Sequence, residues 1–147
     1  MRHNESPNSR SIAVTLTAGA ISSVHSIERV ESDSCGAIVT FIGNVRAFDH
    51  GKEIASLSYE IHPSTEATLR EVVQEVADRH KIKHVSVAHR YGEIPIGESA
   101  FIVAVSSEHR AEAFAACMQI VDEVKARIPI WKHQVFADGS EEWVNCP

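Results

Sequence analysis

The chain has 147 residues, 44% of them hydrophobic and 6% aromatic, with a formal net charge of -6. That length predicts a single domain, expected over residues 12–147, whose core must be filled mainly by branched aliphatics and alanine. The acidic balance argues against broad binding to nucleic acid or to an anionic membrane, and no apolar run approaches the roughly 20 residues of a membrane span.

Residues 1–11 are polar, lack the apolar core of a signal peptide, and are expected to form a disordered tail. The three cysteines, Cys35, Cys117 and Cys146, are odd in number and show no C-x-x-C spacing. Neither a disulfide framework nor a zinc knuckle is indicated, and a reduced, cytoplasmic protein is expected.

In chain order, Ile12–Thr17 alternates as a strand should, and Ile21, Val24 and Ile27 suit a short helix ending near Val30. Cys35–Ile42 is a compact apolar run, expected to be a buried strand. Asn44–Lys52 follows as a loop with Asp49-His50-Gly51 as its turn, then Ile54–Ile61 as a strand. After Pro63, Leu69, Val72, Val73 and Val76 mark an amphipathic helix that Ser64 or Thr65 can cap. Val85–His89 and Ser99–Val105 read as further strands. A second long helix is predicted from about Glu108 to Arg127, with Ser107 as N-cap and Phe114, Cys117, Val121, Val124 and Ile128 as its buried stripe. Pro129 should end it. The order predicts an α+β fold with helices packed on a mostly antiparallel sheet.

The chemistry gathers late in the chain. His109 and Arg110 stand where a helix begins, a place that leaves free N–H donors and partial positive charge for an anion. Lys125 stands beside the buried stripe, and Lys132 follows the helix stop in Ile128-Pro129-Ile130-Trp131-Lys132-His133. Cations grouped inside an acidic chain suggest a pocket for one small anion. Arg46 ends the segment Gly43-Asn44-Val45-Arg46 behind a strand, where binding residues often sit. Each of these has a plain alternative. Taken singly, the lysines are surface residues whose stems cover apolar neighbours, and the arginines are solvated. His80 and His84 have an H-x-x-x-H spacing but straddle a helix end, so no metal site is expected. Cys117 falls on a core stripe and reads as packing rather than nucleophile.

Taken together, the segments resemble the large, catalytic subunit of molybdopterin synthase. The matching stretches are Gly36 to Arg46, Leu57-Ser58-Tyr59-Glu60, His89 to Glu93, Gly97-Glu98, Ser107 to Phe114, Lys125 to Lys132, Asp138-Gly139 and Trp143-Val144. They run in the family's order from about residue 35 to 144. The resemblance implies an α/β hammerhead-like fold with a small antiparallel subdomain. It implies conversion of cyclic pyranopterin monophosphate (precursor Z) to molybdopterin. Sulfur would come from the thiocarboxylated C-terminus of a small ubiquitin-like subunit, and the chain would form a homodimer within a heterotetramer. Lys125 and Lys132 become the expected catalytic residues. Asn44, Val45, Arg46, His109, Arg110, His133 and Gln134 join them as expected substrate-binding residues, with the histidine-arginine pair supplied by the neighbouring large subunit. No metal or organic cofactor is implied. The chain departs from the family after its second lysine, where His133 replaces the usual lysine or arginine and Gln134 follows. A non-catalytic anion- or partner-binding protein on the same scaffold is the alternative.

Overall fold

The structure is a computed structural model that describes residues 9–145. Its elements are β1 (Ser11–Thr17), α1 (Ser23–Val30), β2 (Ala37–Asn44), β3 (Phe48–Asp49), β4 (Lys52–Ile61), α2 (Thr65–Asp78), β5 (His84–Arg90), β6 (Gly92–Glu93), β7 (Ser99–Ser107), α3 (Arg110–Arg127), β8 (Ile130–Phe136) and β9 (Glu141–Asn145). The fold is α+β, with the expected strands and long helices in the expected order. Of the tail expected over residues 1–11, the first eight residues lie outside the described chain. Arg10 and Ser11 are anchored: Arg10 donates to the Ala77 carbonyl, and Ser11 opens β1.

Two sheets divide the strands. The first has the order β1-β5-β7-β2, and the second β3-β4-β8-β9 with β6 on β4. All described pairings are antiparallel except β1 with β5. The main core lies between the first sheet and the helices α2 and α3. Leu69, Val72, Val73 and Val76 are fully buried there, as their spacing predicts. A smaller core of Val45, Ile54, Leu57, Ile94, Ala100 and Phe136 belongs to the second sheet, and Tyr59 packs against both.

Local expectations fail in instructive places. β2 is an edge strand, so its Ala37, Val39 and Phe41 face packs on the core while Ile38 and Ile42 stay exposed. Helix α1 starts at Ser23, capped by the Ser22 hydroxyl. It buries Ser26 and Val30 and leaves Val24 exposed. In α2 Ser64 makes no cap bond. Thr65 instead accepts from the His62 amide and donates to the Pro129 carbonyl, tying α2 to the stop of α3. Helix α3 begins at Arg110 rather than Glu108. Ser107 ends β7, and its hydroxyl donates to the His109 carbonyl. The buried stripe of α3 is Ala113, Ala116, Cys117, Ile120, Val121 and Val124, while Phe114 is exposed. Its alanines let the helix sit close on β2 and β7, which rotates Phe114 out.

The expected Asp49-His50-Gly51 turn is a two-residue hairpin loop. Asp49 pairs with Lys52, and His50 and Gly51 both take positive φ, 53° and 75°. That geometry matches the twist of the strands it joins.

Candidate functional site

Where the two sheets meet, a cleft of about 170 Å³ opens. Its walls come from far-separated segments, and each segment arrives there for a local reason. Phe41, Gly43, Asn44, Val45 and Arg46 come from the end of β2 and the turn beyond it. The register of β2 against β7 shifts between Gly43 and Asn44, a bulge that turns the chain from one sheet toward the other. The Ser99 hydroxyl donates to Asn44 Oδ1 at 2.7 Å, and Val45 exchanges backbone hydrogen bonds with Gly97 and Glu98. Val45 is thereby fixed in the smaller core and Arg46 is turned outward.

Lys125 enters from the last turn of α3, and Lys132 and Gln134 from β8. Pro129 stops the helix at Ile128, so the chain reverses into β8 and returns both side chains to the same hollow. Lys132 and Gln134 share one face of β8 because strand side chains alternate. His133 therefore points to the other face, where it stacks on Trp143 with ring centroids 4.2 Å apart. His133 does not line the cleft, which corrects its place among the expected binding residues.

The sequence alone assigns no role to one wall residue. His89, at the end of β5, is 1% exposed and lines the cleft. Its ring stacks on Phe101 and meets Tyr59 edge-on, both at 5.2 Å. The Nδ1 atom lies 2.9 Å from the Arg90 carbonyl, so it donates there and leaves Nε2 as an acceptor. Burial pushes the imidazole down to about 4, the Arg90 carbonyl opposes that, and nearby Lys125 adds to it. The ring is neutral at physiological pH. The signal available in the sequence is His89 inside a matched segment next to Gly92, but its burial depends on three other strands.

Arg46, Lys125 and Lys132 make the cleft cationic, with Asp49 as the carboxylate behind Arg46. Such a set can hold a small anion, and an amine near the neutral His89 can move protons. His109 and Arg110 lie elsewhere. They are exposed at the N-terminus of α3, and 18 residues of helix, about 27 Å, separate them from its other end. Within one chain they cannot join the cleft.

His80, His84 and Cys117 are engaged away from the cleft or packed. His80 Nε2 meets Gln119 Oε1 at 2.5 Å and His84 Nδ1 meets Ser11, so the H-x-x-x-H pair is split between different partners. Asp49, His50 and Glu142 do bring one donor atom each within 4.8 Å of one another. The Asp49 carboxylate is already engaged by Gln134 and Arg46. Cys117 is buried and its thiol is pushed up to about 11 by burial, against a Phe41 backbone hydrogen bond that lowers it. It is a packing residue rather than a thiolate.

Fold and cleft together define an α+β protein with a cationic pocket floored by aromatic rings. The chain belongs to the MoaE protein family, whose model matches residues 16–127. The match reaches back to residue 16, well ahead of the segments that carry the resemblance in the sequence. Among curated relatives, the molybdopterin synthase catalytic subunit of Bos taurus is 38% identical over 115 residues, covering 78% of this chain and 61% of the relative. That of Homo sapiens is 36% identical over 128 residues, covering 86% and 68%. The chain thus spans about two thirds of the length of such relatives. Among solved structures, molybdopterin synthase from Staphylococcus aureus superposes with a TM-score of 0.80 at 29% identity, covering 88% of this chain and 94% of that one. A complex of subunits 1 and 2 of molybdopterin-converting factor from Helicobacter pylori shares the fold, with a TM-score of 0.65 at 19% identity.

Proposed function

We propose that this chain is the catalytic subunit of a molybdopterin synthase. It converts cyclic pyranopterin monophosphate to molybdopterin, taking sulfur from the thiocarboxylated C-terminus of a small ubiquitin-like subunit. The observation that carries this reading is the meeting of Lys125 and Lys132 with Arg46 in one cleft. A scaffold that only bound a partner would not need two amines and a guanidinium converging on one hollow.

Each side chain has a task that suits its chemistry. A cyclic phosphate and a thiocarboxylate tail both bring negative charge, which the three cations meet. Opening the phosphate ring and adding sulfur both need proton movement and stabilisation of developing charge. Lys125 is the general acid/base and contacts the transient acyl group. Lys132 anchors the thiocarboxylate or the substrate, and Arg46 holds the phosphate and pterin, with Asn44 and Val45 as the wall that sets its position. Gln134 forms part of the wall beside them. These roles require neither a metal nor an organic cofactor.

His109 and Arg110 take part only if a second copy of the chain brings them to the cleft. The proposed assembly is therefore a homodimer at the centre of a heterotetramer with two small subunits. The proposed compartment is the cytoplasm. Among the described residues, no helix is long and apolar enough to cross a membrane.

Reconstitution tests the reading. The purified chain, mixed with thiocarboxylated small subunit and cyclic pyranopterin monophosphate, should yield the dithiolene product. Tight binding of both components with no product would instead identify a non-catalytic anion- or partner-binding protein.

A further inference from the structure

Arg46, one of the three cations of the cleft, is tied to a carboxylate to which the sequence assigns only a place in a turn. Asp49 closes β3, immediately before the hairpin turn, and its side chain is 12% exposed. Its Oδ2 accepts from Gln134 Nε2 at 2.9 Å. Its Oδ1 accepts from Arg46 Nη2 at 3.1 Å. His50 Nε2 lies 3.6 Å from Oδ2. The hydrogen bond from Gln134, helped by the charges of His50, Lys132 and Arg46, holds the carboxyl below the usual carboxylate range despite its burial.

The two main partners of Asp49 differ in a telling way. Gln134 is 1% exposed and locked in β8, two residues after Lys132. The Arg46 side chain is 74% exposed, on a turn. A long exposed arginine would lose its rotamer freedom on gripping an anion. Tied by one Nη2 to a carboxylate that is itself tied to a buried amide, the guanidinium is ordered beforehand. Its remaining N–H groups stay available for phosphate oxygens.

We propose that Asp49 is a positioning residue of this cleft: by bridging Gln134 and Arg46 it presets the guanidinium that grips the phosphate of the substrate. The inference rests on the reading of a phosphorylated pterin as substrate and adds to it a device for holding that phosphate. It also accounts for Gln134. The position facing Asp49 must offer an N–H donor, and a second carboxylate there would repel the first.

The test uses Asp49→Ala, Gln134→Glu and the exchanged pair Asp49→Asn with Gln134→Glu, in the chain reconstituted with its small subunit. Asp49→Ala should raise KM for the pterin about tenfold and leave kcat within about twofold, the pattern of lost uniform binding. Gln134→Glu should do the same by setting two carboxylates against each other. The exchanged pair again opposes one amide to one carboxylate and should return KM to within about threefold of the parent. In an Arg46→Ala background, Asp49→Ala should add nothing. An exchanged pair as impaired as Gln134→Glu alone would overturn the proposal, as would an undiminished Asp49→Ala effect without Arg46. NMR titration with inorganic phosphate separates this from the fate of the sulfur-transfer reading. A parent chain that binds phosphate but makes no product removes that reading alone. Phosphate affinity unchanged by Asp49→Ala removes the role of Asp49.

Discussion

Helix α3 carries cations at both ends, and the fold uses the two ends differently. At the C-terminal end, Arg127 is spent on Glu75 and Glu123, at 2.7 and 3.0 Å. Lys125, two residues earlier, forms no salt bridge with a described carboxylate and faces the cleft beside His89. Cations here also complement the helix dipole. At the N-terminal end, His109 and Arg110 oppose that dipole and stand in solvent. Among the described residues, only the adjacent Glu108 carboxylate approaches the imidazole, at 3.5 Å. One end thus presents an amine to a cleft. The other is a cationic surface that one chain leaves unused. Residue type alone does not separate a structural cation from a working one. What separates them is whether a carboxylate or a hollow stands opposite.

The sharpest way to break this comparison is at the C-terminal end. Lys125→Ala should lower turnover at least ~100-fold in the reconstituted assay while circular dichroism and the thermal midpoint stay near those of the parent. Turnover close to the parent's would remove Lys125 from the chemistry.

The floor of the same end makes a pH prediction. His89 is held near 4, against an ordinary value of 6.5. Between those values the unfolded chain takes up a proton that the folded chain refuses. Stability should therefore fall as pH drops through that window and level off below it, by roughly 3 kcal/mol in all. Urea unfolding of the parent and of His89→Gln at neutral and mildly acidic pH would measure it. An equal acid sensitivity in the two proteins would show that the buried imidazole is not the cause. The depressed Asp49, Asp78 and Asp138 act in the same direction but only at lower pH.

The unused end is tested by mixing. Arg110→Ala should lower turnover about tenfold. If the neighbouring copy supplies this residue, mixing Arg110→Ala with Lys125→Ala chains should restore up to roughly a quarter of parental activity, since mixed dimers then hold one intact site. No recovery on mixing would return Arg110 to the status of a solvated surface residue. The smallest effect is expected in the second turn of the helix. Phe114→Ala should change the stability of the isolated chain by no more than about 0.5 kcal/mol, because its ring is 61% exposed. A loss of several kcal/mol would mean that it packs where the fold leaves it free.

Much of this molecule is legible in its amino-acid order. The spacing of Leu69, Val72, Val73 and Val76 sets the buried face of α2, and Pro129 sets the end of α3. Both are local effects, due to a helical repeat and to a ring that blocks helix continuation. Arg46, Lys125 and Lys132, candidates by residue type and position, all line the cleft. Phe114 misleads because the 3.6-residue period fits neighbouring stripes equally well, and small alanines rather than an aromatic ring decide which one packs.

Two things required the tertiary structure. His89 lies in a matched segment and Asp49 in an expected turn, but neither has a chemical role there, and their character comes from what surrounds them. One imidazole is neutral because Phe101 and Tyr59 exclude water from it, and one carboxyl is held below its ordinary value because Gln134 lies 85 positions away in the chain and 2.9 Å away in space. Sequence determined which chemical groups the protein owns and where its helices stop. Tertiary structure decided which of those groups share a cavity, because burial and hydrogen bonding depend on neighbours that no local pattern brings together.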